Sequence, residues 1–597
     1  YYQSGSDGLI SNCSFRLGNA SHGAMIYLNS SSPNISSTII NKNSSTYGGA
    51  IYNSGSTVSP LFSNCTLDSN YASTNGGVLS ISSSANPTFN HCNFSENSSP
   101  SAGVANISGG LGQFNNCTFS KNSAQNGAVF NGYMATFSVS QCNFINNSAT
   151  TSGAAFYLSN STPSISACTF SNNSSVNTGS CINAFNGTGG SIVNSTFENN
   201  SNSTSSGTVY LHSSSTSLSK NVFQNNYTKQ DGAAIMLFNC TDIEIDKCVF
   251  SENESDRNGG AINTYTSTFL VSNSLFTKND AATSGGAIYI NESTLKLINS
   301  TISKNTANNT GGVFNYNNSI DTMQNCILWK NTSNGSLSDY GNSASTFVSD
   351  YCLFTNTDPT PTNNNIVGND PLFLNEDNGI GSDNTWYSQD DGFLILSNSP
   401  ASDAGNNSFV SGINSDISDY DRIQNSTVNI GAYESVISSW VLEGDDEWKK
   451  STNWFGNHVP TINDNVYLDH FYHTPSYSIT ITEDAYAKNL IVSASDITIK
   501  INAGVSLYYS EIMGSGNIII EDGASLIQNT GATGNVSGNF TVKRNKPNSW
   551  KFYNFWSSPV ENGNTSMLAD AQAINTMNKG TGLSSADYTS FSGAMEV

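Results

Sequence analysis

Three carboxylates alternate along one short stretch, Asp242, Glu244 and Asp246, with Ile243 and Ile245 between them and Lys247 directly after. A period of two puts the acids on one outward strand face and the isoleucines on the other. Grouped carboxylates beside a base are what a polysaccharide lyase or hydrolase needs: an acid–base pair, or a Ca2+-binding cluster with a basic residue to take a proton. Asp231, Asp256 and Arg257 are expected on the coils to either side. A second acidic set, Asp390-Asp391, Asp416, Asp419 and Asp421, lies in turn-rich sequence that offers oxygen ligands to Ca2+. Weak Ca2+ binding at Asp242, Glu244, Asp246, Asp419 and Asp421 is the alternative to catalysis. A solvated strand face and plain acidic turns are the alternative to both. Trp448 and Trp454 flank a further aromatic stretch and suit stacking on sugar rings, against packing between modules. No Gly-His-Gly or C-x-x-C element occurs, no Arg-x-Lys falls within the repeats, and the His and Cys residues do not pair at zinc spacing. No catalytic residue, no metal centre and no cofactor beyond Ca2+ is therefore assigned.

The element that must position these groups is a repeat. Taking Cys65 as marker, its equivalents are Cys13, Thr38, Cys92, Cys117, Cys142, Cys168, Ser195, Asn221, Cys248, Ser274, Ser300, Cys326 and Cys352, at spacings of 25 to 27. Two residues on stands a large apolar group, such as Phe94 or Ile302, and three further on an Asn, such as Asn97 or Asn305. Asn tolerates left-handed backbone and stacked copies can run an amide ladder, so these positions read as corners. Gly pairs such as Gly285-Gly286 turn the chain hard before a short apolar strand, Ile288-Tyr289-Ile290. A third alternating segment, as in Leu295-Lys296-Leu297, completes the unit. The spacing predicts an all-β chain: a right-handed parallel β-helix with three strands and about 26 residues per coil, followed by a smaller β-solenoid or sheet module. Helical repeats are excluded by the period-two patterning and the β-branched, Gly and Asn content.

Nine of the eleven Cys occupy the marker site, where Ser, Thr and Asn also serve. Stacked Cα atoms about 4.8 Å apart are within disulfide range, but in-register side chains point the same way. A buried thiol column is expected rather than cross-coil bridges. Cys181 replaces the small Ala of the Gly-led element, and Cys240 has no assigned role.

The Gly-Gly-Ala-Ile and Phe-x-x-Asn elements, as in 259–262 and 276–279, resemble those of the chlamydial polymorphic outer membrane proteins and other bacterial surface β-helices. The resemblance covers about residues 10 to 352; 179–182 and 232–235 depart from it at one Gly. It implies a surface location and an adhesive role. Residues 368 to 434, with Asn369-Asp370-Pro371-Leu372-Phe373 and Asn429-Ile430-Gly431-Ala432-Tyr433-Glu434, look like the closing segment of secreted choice-of-anchor β-helix proteins, with Asn429 where that pattern has Asp. A solenoid needs its last coil covered, so this segment is expected to be the cap. Short alternating strands return from 478 to 544. Together with Asn453-Trp454 and Trp556-Ser557-Ser558-Pro559-Val560 they resemble a segment of Bacteroidetes surface proteins exported by the type IX route.

The expected boundaries are 1–355 for the β-helix, 356–436 for its last coils and cap, 437–475 for a Trp-rich linker, 476–562 for the second module and 563–597 for the start of another. The chain opens at Tyr1 without a leader, which suits a processed or partial chain, and continuation past Val597 is expected. A net charge of −23 and a pI near 4.4 set it against nucleic acid and anionic lipid. No run of about 20 apolar residues is present to span a bilayer as a helix. The expectation is an exported, outer-membrane-associated, non-catalytic adhesin or display rod at the cell surface. Polysaccharide, components of host or neighbouring cells, and secretion or anchoring machinery are its candidate partners. A lyase or hydrolase acting on acidic polysaccharide, and a spacer or filament subunit, are the alternatives.

Overall fold

Small side chains at one corner, an Asn at the next and a Gly pair at a third leave the chain little choice but to coil on itself, and the computed structural model shows it doing so. The structure describes residues 7–545, apart from 55–57, 83–84, 358, 361–362, 382, 425, 435, 441–445, 455–458, 463, 469–475 and 530–538, together with 588–594. Two units form: Tyr1–Asp370 with Asp403–Ala432, and Pro371–Ser402 with Tyr433–Val597.

The first unit is a parallel β-helix whose coils feed four ladders rather than the expected three. A 14-stranded sheet runs from Leu9–Ser11 to Thr346–Asp350, and a 15-stranded marker sheet from Ser14–Arg16 to Ile366–Val367. A second 14-stranded sheet runs from Asn19–His22 to Ser336–Leu337, and a 13-stranded Gly-led sheet from Ile26–Leu28 to Tyr340–Ser343. The unexpected ladder lies between the Asn corner and the Gly corner. Its strands, such as Ser148–Ser152 and Ser123–Asn126, are built of Ser, Ala, Thr and Asn, and so give no hydrophobic alternation to read.

Register stacks like on like. Phe94, Phe119, Phe144, Phe170, Phe197, Phe223, Phe250 and Phe276 face one another coil to coil with centroids 4.5–5.2 Å apart and interplanar angles of 2–13°. Each such pair contributes about 0.5–1.5 kcal/mol beyond the area it buries. The asparagines form the expected ladder: Asn97 Nδ2 donates to Asn122 Oδ1 at 3.0 Å, Asn122 to Asn147 at 2.9 Å and Asn147 to Asn173 at 3.0 Å. The left-handed residue is not the ladder Asn but the one before it, Glu96, Lys121 or Asn146 (φ 53–55°). The ladder Asn is thus selected for bonding across coils, while the turn itself falls to an exposed neighbour.

The Gly pair divides its work. Gly285 has φ +66°, whereas a Cβ on Gly286 would stand 2.3 Å from the Gly311 carbonyl oxygen of the next coil. The marker site needs a short side chain that can bond in two directions. Cys168 Sγ donates to Ser166 O at 3.2 Å, and its N–H donates to Ser195 Oγ at 3.1 Å in the next coil. Cys240 now has a role, because it belongs to a second column of this kind: its N–H donates to Ser267 Oγ at 3.0 Å, and Ser267 N–H donates to Ser293 Oγ at 3.0 Å. All eleven cysteines are free thiols, and only Cys13 is exposed.

Residues 403–432 were expected within a cap over the last coil. They run lengthwise instead, along one corner of the array, and bond to Lys220, Lys247, Asn273, Asn299 and Asn325, the positive-φ residues of five successive coils.

The second unit holds a smaller solenoid of two five-stranded sheets and one three-stranded sheet. Its core stacks Ile479, Ile499, Ile518 and Phe540 in register. The expected boundaries shift accordingly. Ile395–Leu396 pairs with Val436 and Ile437, so part of the expected cap belongs to this unit. The strand Tyr588–Ala594 pairs antiparallel with Asn539–Asn545 rather than opening a further module. The Trp556-to-Val560 element lies outside the described residues.

Candidate functional site

Asp242, Glu244 and Asp246 do line one outward face of the first sheet, but they are set to different tasks. Asp242 is a left-handed corner residue (φ 54°) whose N–H donates to Thr268 Oγ1 at 2.9 Å. Glu244 is exposed on the strand Ile243–Asp246, in register with Leu270. Asp246 Oδ1 accepts from Ser272 Oγ at 2.7 Å and Asn273 Nδ2 at 2.9 Å. The flanking charges do not join them. Asp256 pairs with Lys229 and accepts from Tyr227 Oη at 3.0 Å, and Arg257 lies 3.8 Å from Asp231. These contacts belong to the polar sheet and its Gly corner, because Asp231, Asp256 and Arg257 stand less than half a repeat from the acidic strand and so occupy another side of the coil.

Asp419 is not grouped with Asp242 either. It bridges two lysines one coil apart, accepting from Lys247 Nζ on Oδ1 at 2.5 Å and from Lys220 on Oδ2, while Lys247 also donates to Ser415 Oγ at 2.7 Å. Against the desolvation that would raise it, these bonds hold the Asp419 carboxyl below its ordinary value. A carboxylate so neutralised is a poor Ca2+ ligand. Asp421 is exposed beside it, and Asp416 Oδ1 caps its own turn, accepting from Ser418 and Tyr420 N–H groups at 2.9 Å each. Among the described residues no three His, Cys, Asp or Glu side chains are placed to hold a metal ion.

Arg422 fastens the same segment. It is 1% exposed, and its guanidinium donates to Asn273 Oδ1 at 3.2 Å and to the Ala432 and Gly431 carbonyls at 3.0 Å each. Asp391, in the other unit, accepts from Tyr433 Oη at 2.8 Å and Tyr387 N–H at 2.9 Å; burial pushes its carboxyl well up.

Sugar stacking by Trp448 and Trp454 is overturned, since they are 0% and 1% exposed. With Trp440 they form an edge-to-face cluster, both pairs at 4.9 Å, in the core of the smaller solenoid. Trp454 Nε1 donates to Trp448 O at 2.6 Å. Nearby, an open depression of about 510 Å³ is lined by Lys449, Val459, Pro460, Thr461, Ile462 and Tyr486 and offers one cation among apolar groups.

A surface that the motifs did not single out is the outer face of the Gly-led sheet. Its outward positions carry rings that pair from coil to coil: Tyr157 with Phe185 at 4.9 Å, Phe238 with Tyr265 at 5.2 Å and Tyr289 with Phe314 at 5.7 Å. The signal in the sequence is a Tyr or Phe recurring one or three residues after the first apolar residue of that strand, as at Tyr289 and Phe238.

Comparison with known families matches residues 103–276 to the right handed beta helix region and residues 273–291 to the Chlamydia polymorphic membrane protein repeat. Residues 439–593 match a domain of unknown function, DUF8693. No curated protein and no solved structure matches the chain. The fold class is thus a right-handed parallel β-helix, with a repeat similar to that of the chlamydial membrane proteins. Among the described residues no helix is long and apolar enough to cross a membrane.

Proposed function

We propose that this chain is an exported surface rod acting as an adhesin or display scaffold, without catalysis. The observation that carries this is the coil-to-coil pairing of the four ladders, whose register shifts only at bulges of the polar sheet and which stay parallel up to that sheet's last strand. Thirteen to fifteen strands follow one another at offsets near one coil with tight corners, and beside the Asp242 strand the segment 403–432 sets Asp419 on Lys220 and Lys247 rather than bringing an acid–base pair over its carboxylates. The similarity to the chlamydial repeat supports a surface location. Export by the type IX route and attachment through a choice-of-anchor type segment rest on the sequence motifs at 368–434 and 440–562.

Beads coated with the purified chain are expected to be retained on bacterial or host cell surfaces, while alginate and polygalacturonate incubated with it release no new reducing or unsaturated ends. Release that disappears in an Asp242→Ala, Glu244→Ala, Asp246→Ala variant would establish the lyase or hydrolase instead.

A further inference from the structure

We propose that the outer face of the Gly-led sheet is the adhesive surface and that its ligand is an uncharged polysaccharide. The proposal rests on the adhesin reading and supplies its ligand class. None of the thirteen strands of this sheet contains an Asp, Glu, Lys or Arg, from Ile26–Leu28 to Tyr340–Ser343. The other three sheets each carry some: Glu244, Asp246 and Lys296 on the first, Asp68 and Glu198 on the marker sheet, Glu254 and Asp280 on the polar sheet. In a chain of net charge −23, strands that carry neither sign, with the paired Asp231 and Arg257 the charges that reach Tyr289 from their edge, offer little to pair with a polyanion or a polycation. Its complement is neutral.

What the face does present is aromatic. Tyr133 and Tyr316 are 50% and 41% exposed, and Tyr157, Tyr210, Tyr265 and Tyr289 are half-buried beside ring neighbours in the rows. Pairing covers part of each ring, burial reaches the Tyr157, Tyr210 and Tyr289 phenols, and Tyr133 and Tyr316 stand out toward solvent, so the surface is aromatic without charge on its strands. Aromatic groups set outward along one sheet face mark a candidate interaction surface. Ring pairs 4.9–5.7 Å apart recur between coils from Tyr157 to Phe314, alternating between two outward positions, which suits a partner that is itself a repeating polymer. Sugar C–H groups pack on ring edges, and sugar hydroxyls exchange hydrogen bonds with the phenols. Each contact is weak and the array multiplies them.

The test uses the full chain with microcrystalline cellulose, chitin and yeast mannan as neutral probes and alginate as the acidic one, beside a Tyr133→Ser, Tyr265→Ser, Tyr316→Ser variant checked for an unchanged circular dichroism melt. Retention on at least one neutral probe, not on alginate, persistent in high salt and weakened at least tenfold in the variant is the expected result. Equal retention of the variant would overturn the proposal, as would alginate binding that salt abolishes. A concentration-dependent dimer that the variant abolishes, without polysaccharide binding, would assign the face to a second copy of the chain instead. If coated beads adhere to cells but the chain binds no neutral probe, the ligand class fails and the adhesin reading stands. Binding to a neutral probe without cell adhesion leaves the site and sinks that reading.

Discussion

Asn331 donates both its side-chain amide and its main-chain N–H to a single oxygen of Asp339, at 2.9 and 3.2 Å, and this ends the asparagine ladder. Each earlier Asn accepts from the coil before and donates to the coil after. The last donor needs an acceptor with nothing further to donate, and a carboxylate meets that need. The other Asp339 oxygen takes the Thr355 N–H at 2.8 Å. Asp339→Ala is expected to cost about 1–3 kcal/mol, the penalty for unpaired buried donors. Hydrogen exchange should show lost protection at Ile327–Trp329 and Leu353–Phe354 while the N-terminal coils keep theirs; even protection throughout would refute the terminator role.

Buried carboxyls give this protein an unusual pH response. Burial raises the Asp339 and Asp321 carboxyls, and Asp321 stands inward between Leu295 and Phe347 with no hydrogen-bond partner among the described residues. A raised acid binds its proton more tightly folded than unfolded. The stability it contributes is therefore present below the ordinary carboxylate range and is lost as pH rises through the folded value. Asp321→Leu is expected to add about 1–4 kcal/mol at neutral pH and to flatten the dependence of the urea midpoint on pH. A variant no more stable than its parent would show that the site is solvated.

The lengthwise segment 403–432 should loosen in two grades. Asp419→Ala removes half-exposed ion pairs and is expected to leave the melting temperature nearly unchanged while speeding proteolysis within the segment. Arg422→Ala empties a buried set of hydrogen bonds and should cost about 3–5 kcal/mol. Equal effects would contradict the division.

Thiol titration of the native chain should find one reactive cysteine, Cys13, among eleven, and all of them after denaturation. Burial pushes the Cys248 thiol up to about 12, which removes thiolate as well as access. Rapid reaction of several thiols in the folded state would mean that the coils open.

Trp454→Ala should destabilise the smaller solenoid by about 3–5 kcal/mol, because it empties a core position, and leave polysaccharide binding by the chain intact. A sugar-binding defect in a folded variant would restore the stacking role.

The coil, its period, the inward Phe and Asn columns and the thiol column were all legible in the residues, because each is a local choice repeated until periodicity exposes it. The ladder of Ser, Ala and Thr was not legible, since hydrogen bonding alone builds it and leaves no apolar pattern. The partners of the acidic residues were not legible for a related reason. Asp242, Asp256 and Asp419 are near in sequence or alike in type, but which corner a residue occupies and what it meets there depend on how the chain is wound. Asp419 lies some 200 residues from Lys220, and only winding brings them together. The sequence by itself determined the repeating unit and hence the fold, whose contacts recur every coil. Tertiary structure alone decided which tryptophans are buried and which acids are neutralised by lysine, because those depend on contacts made once, between residues that no period relates.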